Sequence, residues 1–302
     1  MEQLRLQLDW KPNAQFAGPL LAHHLGWYEQ AGLELTIVPG DMAANPVDAL
    51  KQAGPMVASA DDHLIIQART EGQPVKAIAA MLQFSAFGWL VRQESAITSI
   101  ADLRGKRVGV HGDGMLALDL SLARSGLSRT DVEILPLDFD YADMLRSGRC
   151  DAVQGFVITE PFEMEATGLA VRTIPGYAWR SEPYAQVLVA TDDLINDGAD
   201  VLVKFLKVTF EGWRLAFEQP QQTAQTITAY YLPESDPTLE FKILQALRPF
   251  VVGRVGLNRL GWLNTTRWRQ IITDLAMLGL ANPHLSPEEV MTDQLIKRVY
   301  QA

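Results

Sequence analysis

The sequence predicts an α/β protein of two lobes, the second inserted into the first, with mixed, mainly parallel sheets and a helical C-terminal part. Three observations carry this expectation. Strand-like and helix-like stretches alternate from Leu4 to Ala190, the order of βαβ units. Beyond Asp192 almost everything reads as helix. The 302 residues also exceed what one ordinary core accommodates.

The elements follow in order. Leu4, Leu6 and Leu8 alternate with Arg5, Gln7 and Asp9, the period of a strand with one apolar face. Residues Trp10 to Gly18 break that period and set an indole, amides and a phenyl ring at the strand's exit. A helix through Leu20, Leu21, Leu25 and Trp27 ends before Gly32, and Leu33 to Val38 resumes alternation. Ligands of open α/β sheets sit at the carboxyl ends of strands, so the Trp10 loop is the first binding candidate. Asn45 is placed to cap a helix from Pro46 to Gln52, with proline at its first position. Strands are expected at Met56 to Ala60 and Pro74 to Leu82, with a helix between them. In the middle of the chain, strands are expected at Trp89–Arg92, Val108–Val110, Ile134–Leu137, Ala152–Phe156, Val171–Ile174 and Val187–Ala190. Helices there are expected from Met115, from Tyr141 and after Thr159. The later helices read Ala199–Glu218, Gln221–Tyr230, Leu239–Leu247, Thr266–Leu278 and Pro287–Tyr300, punctuated by prolines. Residues 1–87 and 192–302 are expected to form the first lobe and 88–191 the second. The chain would hinge near 87–89 and 189–192, around an interlobe cleft of the kind that favours small ligands.

Composition narrows the functional classes. Net charge is −10 with no Lys/Arg run, which argues against nucleic acid as a partner. No apolar run approaches the ~18 residues of a membrane span, so direct membrane insertion is not expected. The start Met-Glu-Gln-Leu-Arg lacks the regions of a secretory signal. That fits either a periplasmic or other extracytoplasmic chain whose signal has been removed, or a cytoplasmic one. Cys150 is the only cysteine, excluding an internal disulfide and a cysteine-rich metal site.

The chemistry-bearing motifs are few. The five histidines show no His-Glu-x-x-His spacing, and no Gly-x-Ser-x-Gly elbow occurs. Gly112-Asp113-Gly114 is too short for a dinucleotide fingerprint. Glycines after a strand can still turn backbone N–H groups toward an acceptor, while a plain turn capped by Asp113 is the duller alternative. Asp61 and Asp62 fall at a strand end, where a carboxylate accepts from a ligand amino group or caps a helix. Glu160 opens a helix before Pro161. Gln83, Phe84 and Ser85 close a strand just before the crossing, Phe156 ends another, and Trp179 and Tyr184 lie in a loop that could serve as a lid.

Several stretches together resemble a known family. They are Leu8-Asp9-Trp10-Lys11-Pro12-Asn13, Gly26 to Leu33, Asn45-Pro46-Val47, Ala101 to Val110 and Thr159-Glu160-Pro161-Phe162. The chain resembles bacterial solute-binding proteins related to thiamine-pyrimidine biosynthesis, within the type II periplasmic binding proteins. Asp102-Leu103-Arg104-Gly105-Lys106 speaks for the fold class alone, and the Trp10-Lys11-Pro12-Asn13 stretch for the pyrimidine branch. Gln15 to Gly18 and Glu160-Pro161-Phe162 look equally like sensor domains of that fold fused to signalling proteins. The resemblance implies a two-lobed trap that hands a small nutrient to an ABC transporter permease, or in the sensor case to a fused signalling module. It implies that Trp10 and Phe16 stack on a planar heteroaromatic, that Asn13, Gln15 and Gln83 bond its edge, and that Glu160 and the Gly112–Gly114 turn grip it.

The same family contains a fungal enzyme that builds the thiamine pyrimidine from its own histidine and a pyridoxal cofactor, with iron and a cysteine-rich run. Here the run is absent, and His63 is one residue out of place. Ser59-Ala60-Asp61-Asp62 stands where the lysine belongs. The expectation is therefore a binding protein without cofactor or catalysis.

Overall fold

The computed structural model of the chain describes residues 1–40, 45–112, 114–138, 140–176 and 182–301. Its strands are β1 Glu2–Gln7, β2 Leu33–Val38, β3 Met56–Ala60, β4 Val75–Leu82, β5 Phe87–Arg92, β6 Arg107–Val110, β7 Glu133–Pro136, β8 Ala152–Phe156, β9 Val171–Pro175 and β10 Ala185–Thr191. The α-helices are α1 Ala17–His24, α2 Trp27–Gln30, α3 Asp62–Thr70, α4 Met115–Arg124, α5 Tyr141–Arg146, α6 Glu160–Ala166, α7 Asp192–Asp197, α8 Ala199–Glu218, α9 Pro220–Tyr230, α10 Pro237–Val252, α11 Thr265–Met277, α12 Pro287–Val290 and α13 Gln294–Gln301. The strands form two five-stranded sheets, β2-β1-β3-β10-β4 and β7-β6-β8-β5-β9. The chain divides into two units: residues 1–40, 45–85 and 182–301, and the described residues from 86 to 176.

In the first unit, alternation becomes burial. Leu4 and Leu6 of β1 are buried while Arg5 and Gln7 are half-buried. β1 pairs in parallel with β2 and β3, and β10 runs antiparallel to both β3 and β4. The four other strands therefore end at the edge where β10 begins. This corrects the expected boundary. The sequence assigns the strand over 187–190 to the inserted lobe, whereas β10 lies inside the first sheet, so the chain is back in the first unit by Glu182. A strand's local pattern does not say which sheet it joins.

The helices of this unit pack closely. A Cβ at Gly212 of α8 would lie 2.1 Å from the Gly18 carbonyl oxygen of α1, so this crossing needs glycine. α10 runs on through Pro249, and the Phe250 carbonyl near its end accepts the Gln83 N–H at 2.7 Å. Two expected helices are broken. The first divides into α1 and α2 at Gly26, whose φ is 68°, and the last divides into α12 and α13. Asn45 caps as expected, its Oδ1 accepting the Val47 N–H at 3.0 Å, but the turn it caps is 3-10.

The second unit has its own core, with Trp89, Val91, Leu103, Val108, Leu118, Leu122 and Ala152 buried together. Trp89 Nε1 donates to Ser121 Oγ at 2.8 Å, satisfying the indole inside that core. β6 pairs in parallel with β7 and β8, so these three strands end at one edge; β5 is antiparallel to β8 and β9.

Candidate functional site

In the first unit, the strand-end edge collects most of the expected site residues. Beyond β1 the chain turns through Trp10, which is half-buried, into a 3-10 turn over Ala14–Phe16. Asn13 caps this turn, its Oδ1 accepting the Gln15 N–H at 3.0 Å. Glu240 of α10 pins the same turn, since its Oε2 accepts the Ala14 N–H at 2.7 Å and Ser235 Oγ donates to its Oε1 at 2.6 Å. Across the edge, Gln186 Nε2 donates to Gln15 Oε1 at 2.9 Å and lies 3.5 Å from Asp9 Oδ1. The Gln186 N–H points at Asp61 Oδ1 from 3.4 Å. Asn13, Gln15 and Gln186 are all buried.

Asp62 and Tyr184 form a second group. The Asp62 carboxylate, buried, accepts the Tyr184 N–H at 2.7 Å. Tyr184 stacks on Trp268 with ring centroids 5.6 Å apart, and its hydroxyl accepts the Asn264 N–H at 3.1 Å. The Arg267 guanidinium carbon lies 3.6 Å from the centroid of the Tyr184 ring. Burial raises the Tyr184 pKa, with the neighbouring Arg267 charge opposing. Arg267 donates to the Gln83 carbonyl at 2.5 Å and to the Glu182 carbonyl. Gln83 Nε2 donates to the Trp262 carbonyl at 3.0 Å, and the Ser85 N–H donates to the Pro183 carbonyl at 2.8 Å.

Phe16, expected to stack on a ligand, is fully buried, as are Asn13 and Gln186 at the same edge. Asp61 occupies the N-cap position of α3, yet its side chain makes no capping bond. Tyr184, expected in a lid, is a fixed buried ring; Trp179 lies outside the described residues. Gln186 and Glu240 do not stand out in the sequence. A glutamine ahead of an apolar strand and a glutamate in a helix carry no local sign of burial.

The second unit gathers its candidates at the ends of β6 and β8. Gly112 is exposed with open space about it, and Asp113 lies outside the described residues. Gly114 is buried, and a Cβ there would lie 1.9 Å from Gln154 Nε2, the far end of a flexible side chain. Glu160, buried in the first turn of α6, accepts the Phe156 N–H at 2.8 Å, and Phe156 packs against the core. His111 Nε2 and the Tyr141 hydroxyl are 2.6 Å apart, and burial draws the His111 pKa down to about 4. Cys150 is buried and its thiol is pushed up to about 11, so it stays protonated at neutral pH.

Among the described residues there is no group of three or more His, Cys, Asp or Glu placed to hold a metal ion. An aspartate, Asp62, stands directly before His63, and its carboxylate is engaged by the Tyr184 N–H. No helix of the described residues is long and apolar enough to cross a membrane.

Two parallel-ended sheets and this helical C-terminal part make the fold that of the periplasmic binding proteins. A ligand-binding component of an ABC-type import system from Staphylococcus aureus has it, with TM-score 0.74 and 13% identity over all of both chains. The chain belongs to the family described as NMT1/THI5 like, which matches residues 13–223. Its relatives include proteins named for binding and proteins named for synthesis. The riboflavin-binding protein RibY of Chloroflexus aurantiacus is 21% identical over 98% of this chain and 86% of its own. A formylaminopyrimidine-binding protein of Halalkalibacterium halodurans is 22% identical over 75% of this chain and 70% of its own. A relative from Legionella pneumophila, 23% identical over 82% of this chain and 79% of its own, is named 4-amino-5-hydroxymethyl-2-methylpyrimidine phosphate synthase. The comparisons give no support to a fused signalling module.

Proposed function

We propose that this protein is an extracytoplasmic solute-binding protein that captures a small planar heteroaromatic nutrient for an ABC transporter and performs no chemistry on it. One observation carries the reading. The half-buried Trp10 leads directly into a linked row of buried amides, Asn13, Gln15 and Gln186, at the carboxyl edge of the first sheet. An indole offers a flat face, and amides offer a directional edge, which together suit a polar ring better than a sugar or a simple anion. Relatives named for binding riboflavin and a formylaminopyrimidine support this class of ligand. The missing lysine and lone cysteine speak against a synthase.

A thermal-shift screen of pyrimidines, flavins and sulfonates tests it. A heterocycle present at 100 times its Kd stabilises the native state by about 2.7 kcal/mol through mass action, which raises the melting temperature. Trp10→Ala should weaken that ligand by about 10- to 100-fold, roughly the loss of a buried aromatic contact. If no compound in the screen moves the transition, the reading fails.

A further inference from the structure

We infer that Gln186, together with Asn13, selects ligands by a donor–acceptor edge, so that the site takes planar lactams or cyclic amidines and rejects acceptor-only anions. This rests on the reading above and sharpens it.

Three features of Gln186 converge. Its backbone φ is 48°, and among the described residues other than glycine it is the one with positive φ. A glutamine gains nothing locally from the left-handed region, so surrounding structure imposes this conformation. Its side chain is wholly buried. Its amide orientation follows from its neighbours: the atom facing Gln15 Oε1 and Asp9 Oδ1 must be the NH2 group, because a carboxylate only accepts. The remaining atom, Oε1, has no hydrogen-bond partner among the described residues.

Asn13 is the mirror case. Its Oδ1 is committed to the Gln15 N–H, which leaves Nδ2 as a donor, and Nδ2 likewise has no partner among the described residues. Gln15 joins the two, through its N–H on one side and its Oε1 on the other. A buried polar atom without a partner is costly, and two of opposite kind bonded to one residue form a complementary pair. The partner that satisfies both presents an N–H to Gln186 Oε1 and a lone pair to Asn13 Nδ2. An imide or lactam edge does so, as does an amino group beside a ring nitrogen. A sulfonate, with acceptors alone, does not.

Calorimetric titration of the whole chain with riboflavin, 4-aminopyrimidine and methanesulfonate tests this, each heterocycle paired with an analogue lacking the donor (N3-methylriboflavin and 4-dimethylaminopyrimidine). The expected result is binding of at least one parent heterocycle, a loss of tenfold or more for its methylated analogue, and no binding of methanesulfonate. Gln186→Met should weaken the parent tenfold or more and leave the analogue's affinity within about twofold of wild type. Gln186→Asn withdraws the amide by one methylene while tolerating the positive φ. It should keep the melting temperature while losing the same tenfold. Parent and analogue weakened alike by Gln186→Met would overturn the proposal, as would parent affinity unchanged in both variants. Wild type that binds neither heterocycle would overturn the solute-binding reading itself, and this proposal with it.

Discussion

Asp62 shows how a carboxylate that looks open to a ligand in the sequence is occupied by the fold. Its buried carboxylate takes the Tyr184 N–H at 2.7 Å and so secures the start of β10 against α3. Replacing it with alanine leaves that N–H buried and unbonded, an expected loss of about 1–3 kcal/mol in urea unfolding. An unchanged midpoint would show that the contact contributes nothing. His111 gives a pH test. Burial lowers its pKa from 6.5 to about 4, so between those values the unfolded chain binds more protons than the folded one. Its contribution is fully present above about pH 6.5 and is lost as pH falls toward 4. His111→Gln should flatten the pH dependence of unfolding in that window by on the order of 3 kcal/mol. An equally steep profile in the variant would assign the dependence to other groups. Trp10 is legible in the sequence because an indole interrupting a strand's period is conspicuous. Gln186 is not, because no neighbouring residue announces its positive φ or the placement of β10 between β3 and β4.

At the scale of elements, periodicity is a reliable guide to strands and a weaker one to their partners. The spans Leu33–Val38, Met56–Ala60 and Ala152–Phe156 coincide with the structure because apolar runs bounded by turns leave little choice. The sheet that β10 joins depends on pairing with residues more than a hundred positions away. Phe16 illustrates the same limit, since no neighbouring residue announces that the turn over Ala14–Phe16 is buried throughout. Helix packing depends on single atoms. Gly212→Ala would drive a methyl into the Gly18 carbonyl across the α1–α8 crossing and should cost about 3 kcal/mol, the upper range for overpacking. Denaturant titration measures it, and a cost below about 0.5 kcal/mol would mean that the helices separate freely. Arg267 of α11 has a different task. It bonds the carbonyls of Gln83 and Glu182, and so ties together the segments where the chain leaves and rejoins the first unit.

For the whole molecule, the family and the binding-protein fold do not decide between binding and catalysis, since relatives of both kinds occur. The proposed binding role rests on the amide row at the strand ends. Native mass spectrometry of the intact chain, after incubation with pyrimidines, flavins, pyridoxal phosphate and iron, tests this most directly. The account predicts a noncovalent complex with one heterocycle, which releases its ligand on activation and leaves the chain at its unmodified mass. A chain mass altered at His63, or no complex with any heterocycle offered, would contradict it.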